Sequence, residues 1–497
     1  MNNNPLEEEL LMYSRRHFFG KMAKGVGAMA LGGMVTKDLF AKEVAERKLK
    51  QVAPTAKNVI YLFQSGGPSQ HDLFDHKPKL QELNGEDLRD HIQMTQRITG
   101  MSVGQSKFPF AGTVFDFKKH GESQAEISEL LPHIAGIADE ICIVKNMYTE
   151  AINHDPAITF FQTGSEIPGR PSMGSWMSYG LGSLNENLPT FVSMVSRGSG
   201  RPNCQPLYDR LWGSGFLPTQ YSGVKFMPTG DPVLYLKNPE GLRPSLRKKM
   251  LDQVNLMNEA KLKEFGDPEI FTRIKQYELA YKMQTSVPEL SDLSDEPQHI
   301  LDMYGPDVHR RGSYAFNCIM ARRLVERGVR FTQLYHMGWD QHATLPKDIV
   351  GQCKDIDQPS AALIKDLKQR GLLDDTLVIW GGEFGRTAYS QGALTKTNYG
   401  RDHHPKCFTK WLAGGGIKPG MTYGQTDDFG YGIVDADGNP VNPDKHHYTP
   451  DAVHVHDLQA TIMHIMGIDH TQLTYQHQGR DFRLTDVHGK VVKGILS

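Results

Sequence analysis

Short apolar runs alternate with helical patterns along most of this chain, and this alternation restricts its fold more than any other feature. Two helical patterns, at 314–327 and 361–369, each lead directly into an apolar run. Repeated β-α-β units of this kind predict an α/β fold with a mostly parallel central sheet flanked by helices. The runs predicted to be strands are NVIYLFQ (58–64), ICIVKNM (141–147), TFVSMV (190–195), FTQLYH (331–336) and TLVIW (376–380).

Two further stretches have helical spacing, and one long region departs from the alternation. Apolar residues recur every three or four positions at 127–137, and a last helix is predicted at 456–466. The region 198–298 is loop-rich and then helical and charged, without an obvious strand. We interpret it as an insertion over the sheet. It either forms a lid or wall on the substrate side or is simply a solvated helical segment.

Charge and cysteine content exclude some classes of protein. The chain of 497 residues has 55 basic and 57 acidic side chains, so nothing in its charge indicates a nucleic-acid partner. Its five cysteines form no C-x-x-C pair, and the odd count argues against a disulfide framework. We expect a soluble globular protein with buried free thiols.

The first 41 residues have the pattern of a twin-arginine signal. Arg15 and Arg16 precede a weakly apolar stretch at 26–35 that is too short to span a bilayer, and a polar linker at 42–54 follows. We therefore expect the twin-arginine export machinery as a partner and a periplasmic or otherwise exported location. The signal is either cleaved or kept as an anchor, and no later segment has the length of a membrane helix. An arginine pair at an ordinary helix start is the alternative.

Acidic residues and histidines follow the predicted strands. GWDQH (338–342) contains Asp340 and His342, GGEFGRT (381–387) contains Glu383, and GRDHHP (400–405) contains His403 and His404. Groups at the carboxyl ends of parallel strands converge on one crevice, and carboxylates with neutral imidazoles bind divalent ions. The pattern predicts a metal site. Taken singly, each residue fits an ordinary salt bridge or helix cap equally well.

The order of these motifs resembles the alkaline phosphatase and sulfatase superfamily and, within it, the exported bacterial family labelled domain of unknown function 1501. The resemblance implies an alkaline-phosphatase-like domain over 55–490, interrupted by the insertion at 198–298. The phrases that carry it, besides the three above, are GGPSQHDLFDHKP (66–78), NHDPAITFFQTG (153–164), GRPSMGSW (169–176) and the tail from His456 to Gly489.

The resemblance implies one or two divalent ions, with zinc, manganese and calcium as candidates. Glu383 stands where the sulfatase phrase has an Asp ligand, and Phe384 stands where a second ligand is expected. Asp340 and His342 resemble the pair that binds the other ion, at a shorter spacing. His403 is the first choice for the third phosphatase histidine, and His404 is the second.

The chain departs from the superfamily pattern in two respects. Sulfatases end the first strand in paired Asp ligands, whereas this chain has Ser65 and Gly66 there. Asp72 either reaches back to the ion or stabilises its own loop. His154 aligns with the sulfatase nucleophile, and ligand, general base, covalent nucleophile and structural histidine are all open roles for it.

The expected function is an exported, metal-dependent hydrolase of sulfate or phosphate esters, with a small molecule or polysaccharide as substrate. A divalent ion polarises an ester oxygen and lowers the pKa of bound water to about 7, while Arg386 is expected to hold ester oxygens bidentately. With His154, Arg386 makes up the predicted catalytic pair. The alternative is a non-catalytic binding or assembly protein that kept the fold, since no Ser, Thr or Cys nucleophile is recognisable.

Overall fold

The protein is described by a computed structural model over residues 52–202, 205–233, 238, 242–442, 449 and 451–497. The signal segment 1–41 and most of the linker lie outside the described residues. The strands are β1 (Asn58–Ser65), β2 (Phe117–His120), β3 (Ala125–Ser128), β4 (Cys142–Tyr148), β5 (Phe191–Arg197), β6 (Val224–Phe226), β7 (Phe331–Met337), β8 (Thr376–Gly381), β9 (Gly385–Ser390), β10 (Arg401–His404), β11 (Phe408–Ala413), β12 (Met421–Tyr423), β13 (Gln425–Thr426), β14 (Ile433–Val434), β15 (Pro440–Val441), β16 (Val453–His454), β17 (Tyr475–His477) and β18 (Arg480–Phe482).

Helices account for most of the remaining regular structure. They are α1 (Gln70–Leu73), α2 (Pro78–Glu82), α3 (Pro132–Ala135), α4 (His154–Thr163), α5 (Met173–Leu181), α6 (Pro244–Phe265), α7 (Pro268–Ser291), α8 (Gln298–Tyr304), α9 (Tyr314–Glu326), α10 (Leu345–Gln369) and α11 (Val455–Ile465). Among the described residues, no helix combines the length and the apolarity that a membrane crossing requires.

The central sheet is mostly parallel, which confirms the expected fold class. Its nine strands run in the order β12-β4-β11-β8-β1-β7-β5-β6, and β16 also pairs with β4. β1 pairs in parallel with β7 and β8, and β5 pairs in parallel with β7 and β6. β11 runs antiparallel to both of its neighbours, β4 and β8. The carboxyl ends of β1, β4, β5, β7 and β8 therefore lie along one edge.

Helices cover both faces of the sheet, which explains why its strands are apolar along their whole length. Ile60 and Leu62 of β1 belong to a large buried cluster that includes Ile319 of α9 and Ile356 of α10. On the opposite face, the ring of Phe63 contacts Phe161 of α4 edge-on, with centroids 6.3 Å apart. Side chains on both faces of β1 are therefore buried in a core.

The expected helix at 127–137 is only partly correct. Ile127 lies in β3, which pairs with β2, and the helix α3 begins at Pro132. A residue before proline is disfavoured in the helical region, and Leu131 has φ −125° and ψ 53°. The proline therefore separates a strand from a short helix where apolar spacing alone indicates one continuous helix.

The region 198–298 differs from expectation in one respect, because it contributes a strand to the sheet. β6 pairs with β5 at the sheet edge through Val224 opposite Val192. The rest of the region is a loop that approaches the carboxyl edge of the sheet, followed by the helical pair α6 and α7. Cys142, Cys318, Cys353 and Cys407 are buried and free, while Cys204 lies outside the described residues.

Candidate metal centre

Four side chains converge at the carboxyl edge of the sheet. Asp340 and His342 follow β7, His154 opens α4 in the connection after β4, and His403 lies in β10. One ligand atom from each of the four lies within 4.8 Å of the others. His154, Asp340 and His403 are buried, and His342 is partly exposed. In the described part of the chain, this is the only group of three or more such residues close enough to hold an ion.

The three imidazoles point their Nε2 atoms at one carboxylate oxygen. Asp340 Oδ1 lies 2.5 Å from His342 Nε2, 3.0 Å from His154 Nε2 and 3.7 Å from His403 Nε2. The Nε2 atoms of His342 and His403 are only 3.1 Å apart. Four potential ligand atoms are therefore grouped around one small volume.

Each of these imidazoles is oriented by an acceptor at its other nitrogen. His154 Nδ1 lies 2.6 Å from Glu383 Oε1, His403 Nδ1 lies 2.6 Å from the Ile152 carbonyl, and His342 Nδ1 lies 2.5 Å from Gln391 Oε1. Since these partners accept hydrogen bonds, we assign the proton of each ring to Nδ1. Metal-bound histidines characteristically donate their second N–H to a carboxylate or carbonyl in this way.

The donor set fits a divalent cation. With their protons on Nδ1, His342 and His403 direct Nε2 lone pairs toward each other and toward the Asp340 carboxylate. Arg386 Nη1 lies 3.4 Å from His342 Nε2 and donates to it, which agrees with a lone pair there. Without a cation among them these groups repel one another, whereas imidazole nitrogen and carboxylate oxygen are good zinc and manganese ligands.

Charge at the centre is strongly perturbed by burial and by the histidines. Burial lowers the pKa of His403 to about 3, which keeps the ring neutral. Burial alone would raise the pKa of Asp340, but the three histidine rings at its Oδ1 and the Arg386 guanidinium hold it well below its ordinary value. Burial also opposes a charge on His154, yet the carboxylates of Asp340 and Glu383 on either side of its ring raise its pKa. The centre therefore combines a charged carboxylate with at least one neutral imidazole.

Glu383 lies behind His154 and is not one of the four converging ligands. Its side chain is fully buried, and its Oε1 accepts a hydrogen bond of 2.9 Å from the Gly66 backbone N–H as well as the one from His154. Gly66 has φ +116°, and a Cβ there would lie 2.5 Å from Asp340 N. This close approach explains why position 66 carries no side chain and so no acidic ligand.

Arg386 is a fully buried part of the framework of the centre. Its Nη2 donates to Asp340 Oδ1 at 2.9 Å and to the Gly66 carbonyl, and its Nε donates to the Gly67 carbonyl at 2.9 Å. Its Nη1 also donates to the Arg401 carbonyl at 3.1 Å. In this arrangement the guanidinium positions Asp340 and the loop after β1.

Asp72 lies outside the four-residue centre, in a buried ion pair. Its Oδ2 lies 2.8 Å from Arg401 Nε and accepts a 2.5 Å hydrogen bond from Ser69 Oγ, and its Oδ1 accepts one of 2.6 Å from Tyr399. Burial tends to raise the pKa of Asp72, but Arg401 and these hydrogen bonds lower it. Of its two expected roles, this geometry matches loop stabilisation.

His404 also lies outside the centre. Its Nε2 donates to the Tyr431 carbonyl at 2.9 Å, and burial lowers its pKa to about 3. Successive side chains of a strand point to opposite faces, so His403 and its neighbour cannot both reach the same ion. The structure thus brings His154, Asp340, His342 and His403 together and leaves Asp72 and His404 elsewhere.

The loop after β5 forms one wall of the centre. Arg201 donates to the Asp340 carbonyl, and Gln205 Nε2 donates to Asp340 Oδ2 at 3.3 Å. Arg210 forms an ion pair with Asp155, the residue after His154. Sequence patterns did not indicate Arg201, Gln205, Gln391 or the Ile152 carbonyl, because these groups lie in irregular segments without a motif. The residues next to a histidine in the sequence do not indicate which group accepts a hydrogen bond from its second ring nitrogen.

Solved structures that resemble this chain, at low identity, include a phosphonate monoester hydrolase, a sulfatase and an alkaline phosphatase. The phosphonate monoester hydrolase from Silicibacter pomeroyi is 11% identical with a TM-score of 0.32, over 83% of this chain and 73% of that chain. The PsFucS1 sulfatase from Pseudoalteromonas sp. is 12% identical with a TM-score of 0.32, over 86% and 72%. A magnesium-bound variant of TAB5 alkaline phosphatase is 12% identical with a TM-score of 0.30, over 75% and 94%.

Likenesses this distant say nothing about the activity of the present chain. No curated protein matches it significantly in sequence. One family model, described as "Protein of unknown function (DUF1501)", matches residues 56–496. The match covers almost the whole described part, so the chain belongs to the DUF1501 family.

Proposed function

We propose that this protein is a metal-dependent hydrolase of sulfate or phosphate esters, exported by the twin-arginine pathway. The observation that carries the proposal is the convergence of three imidazole Nε2 atoms on Asp340 Oδ1, with each Nδ1 already engaged by a protein acceptor. Orienting three rings by separate acceptors is characteristic of a metal centre. The export part rests on Arg15 and Arg16 alone.

The donor set favours zinc or manganese over calcium. Calcium takes six to eight oxygen ligands in proteins, whereas this centre offers three imidazole nitrogens and one carboxylate. His154, Asp340, His342 and His403 would hold the ion, and Glu383 would orient His154. The single cluster in the described residues supports one ion per chain.

We propose the following roles in ester hydrolysis for the ion and for two side chains at the centre. A divalent ion held by these four side chains would polarise an ester oxygen and would lower the pKa of water to about 7. His154 is held by Glu383 at Nδ1 and faces Asp340 at Nε2. Of its open roles, this arrangement supports that of a metal ligand. Arg386 orients Asp340, so its donors are already occupied.

Arg201 is therefore our candidate for binding the anionic oxygens of the ester. It is only partly buried, it reaches the centre through the Asp340 carbonyl, and a guanidinium retains further donors for an oxyanion. Gln205, which contacts Asp340 Oδ2, adds a neutral donor on the same loop. A cationic wall of this kind favours a negatively charged substrate.

A non-catalytic binding protein is the second candidate, and one observation favours it. Ser69 Oγ donates to Asp72, away from the centre, and none of the four described cysteines belongs to the metal cluster. Among the described residues, neither Ser69 nor a cysteine therefore takes the place of the missing nucleophile. For the hydrolase we therefore propose water as the attacking group.

The deciding experiment combines metal analysis with a substrate panel. Purified protein loaded with zinc, manganese or calcium is assayed on aryl sulfates, phosphate monoesters and phosphate diesters. We expect metal-dependent turnover that is lost in His154→Ala and retained in the matched control Ser69→Ala. Direct attack by water inverts configuration at phosphorus or sulfur, so a chiral ester should give inversion. Full metal occupancy without turnover on any ester would favour the binding protein.

A further inference from the structure

The helix α6 is unusual because it is long and yet contributes nothing to the core. It contains 22 residues, and none of its described side chains is buried. Most helical stability in proteins comes from packing an apolar face against the rest of the structure. A helix of this length without a buried side chain therefore presents surface that an interaction partner can cover.

One side of α6 carries a continuous apolar row, which we call the α6 stripe. Its first four members are spaced four, four and three residues apart, and the fifth follows eight residues later, so all share one face of the helix. Lys261 lies on the same face between the last two members. They are Leu246 (50% exposed), Met250 (53%), Val254 (38%), Met257 (64%) and Phe265 (67%). Exposed large apolar residues elsewhere in the described chain are scattered, so this grouping is distinctive.

The stripe is separate from the contact between α6 and α7. The half-buried side chains of α6 form their own row, one position later in the sequence than the stripe, and so lie about 100° further round the helix. These residues are Arg247, Leu251, Asn255, Asn258 and Leu262. Packing against α7 therefore uses a different face and leaves the stripe available.

The charges on α6 match a second copy of the same helix in the opposite direction. The segment 244–251 contains three basic and no acidic residues, whereas 252–265 contains three acidic and two basic residues. An antiparallel pair places each basic half beside the acidic half of the other copy. A parallel pair would place Lys248 and Lys249 beside the same lysines, which is repulsive.

We propose that the α6 stripe is an interface with a second copy of this chain, paired antiparallel about the midpoint between Val254 and Met257. A two-fold axis there places Val254 against Met257 of the second copy and Leu246 against its Phe265. It also brings Lys249 near Glu264 of the second copy, twice by symmetry. The Lys261 stem covers Met250 while its ammonium stays in water.

The size of the interface predicts a weak, concentration-dependent dimer. The 22 residues of α6 span roughly 33 Å, and a single pair of such helices belongs to the small end of protein interfaces. We expect a dissociation constant of about micromolar order, which corresponds to roughly 8 kcal/mol. The inference does not depend on the proposed function.

Sedimentation equilibrium of the full chain tests the proposal over a range of protein concentrations. We expect Val254→Lys and Met257→Lys each to weaken dimerisation by about tenfold or more, since each buries a charge at the centre of the interface. Leu256→Lys is the matched control, because Leu256 is 58% exposed but lies outside the stripe, roughly 130° round α6 from its centre, and should leave the dimer intact. Metal content should be unchanged in all three variants.

A charge exchange tests the antiparallel direction. Lys249→Glu and Glu264→Lys should each weaken the dimer, and the double variant should restore it. A monomeric wild type at about 100 times the expected micromolar constant overturns the proposal. Equal effects of Val254→Lys and Leu256→Lys, or a double variant no better than the singles, overturn it as well. Monomeric protein that binds anionic phospholipid vesicles through the stripe would assign this face to a membrane surface instead.

Discussion

Glu383 Oε1 and His154 Nδ1 lie 2.6 Å apart, although the two residues are separated by 229 positions in the chain. Glu383 follows β8 and His154 follows β4, so the contact exists only because these strands lie in one sheet with β11 between them. The carboxylate fixes the ring so that Nε2 faces Asp340. The order of the sheet is thus transmitted directly to the geometry of the candidate metal centre.

The first prediction separates His403 from its neighbour His404. Asp340→Ala and His403→Ala should lower bound zinc or manganese and lower the melting temperature of the metal-loaded protein, because metal binding is coupled to folding. His404→Ala should leave metal content unchanged, since His404 binds the Tyr431 carbonyl. Elemental analysis and thermal denaturation provide the measurements. Full occupancy in His403→Ala would show that the ligands lie elsewhere.

The second prediction concerns Glu383 as the partner of a ligand. Glu383→Gln keeps an acceptor for His154 Nδ1 but removes the negative charge, so metal affinity should fall by about 10- to 100-fold without loss of the fold. Competition with a chelator of known affinity measures this change. Complete loss of metal, equal to that in Asp340→Ala, would instead make Glu383 a direct ligand.

The third prediction assigns Asp72 to stability. Asp72→Ala leaves Arg401 buried without its carboxylate partner and should lower the free energy of unfolding by about 3–5 kcal/mol. The double variant Asp72→Ala/Arg401→Met should recover part of this loss, because it removes the unpaired charge. Urea denaturation measures both effects. Metal content should stay constant in the folded protein, and its loss in Asp72→Ala would return Asp72 to the ion.

The fourth prediction compares two arginines at the centre. Arg201→Ala should raise KM for an ester substrate, and the inhibition constant of inorganic phosphate, by about tenfold while metal stays bound. Arg386→Ala should lower metal content and stability, because Arg386 holds Asp340 and four carbonyl groups. Titration of phosphate into each metal-loaded variant distinguishes the roles. Unchanged phosphate binding in Arg201→Ala would remove that arginine from the substrate site.

The fifth prediction concerns export. Replacing both Arg15 and Arg16 with Lys should prevent delivery to the periplasm, because the twin-arginine receptor recognises this pair. Cell fractionation followed by immunodetection measures the distribution. The control is a conservative change of two other basic residues in the segment 1–41, Lys21→Arg with Lys24→Arg, which should not alter delivery. Periplasmic protein in the Arg15/Arg16 variant would contradict the assignment.

Much of the fold could be predicted because buried parallel strands have a simple pattern. The runs at 58–64, 331–336 and 376–380 are apolar on both faces, and they correspond to β1, β7 and β8. The helical pattern at 127–137 was misleading, because apolar spacing does not reveal that residues 125–128 pair with β2. The pairing of β2 with β3 depends on residues before position 125, which a search for helical spacing at 127–137 does not include.

The candidate site was predictable in composition but not in its detailed arrangement. Strand ends identified Asp340, His342 and His403, since parallel strands bring their carboxyl ends to one edge. Adjacent histidines could not be distinguished by sequence, and only the alternation of β10 turns His403 toward the centre and His404 away. The role of Arg386 was equally hidden, because its partners are mostly backbone carbonyls of distant loops.

The α/β class, the parallel strands and the edge at which polar groups gather all follow from local hydrophobic patterns and from the direction of the chain. Which of those groups meet depends on how the elements pack in three dimensions. This packing placed Glu383 behind His154, paired Asp72 with Arg401 and brought β1 against Asp340 so closely that Gly66 leaves no room for a side chain. Such choices depend on distances of a few ångströms between residues far apart in sequence, and no local pattern encodes them.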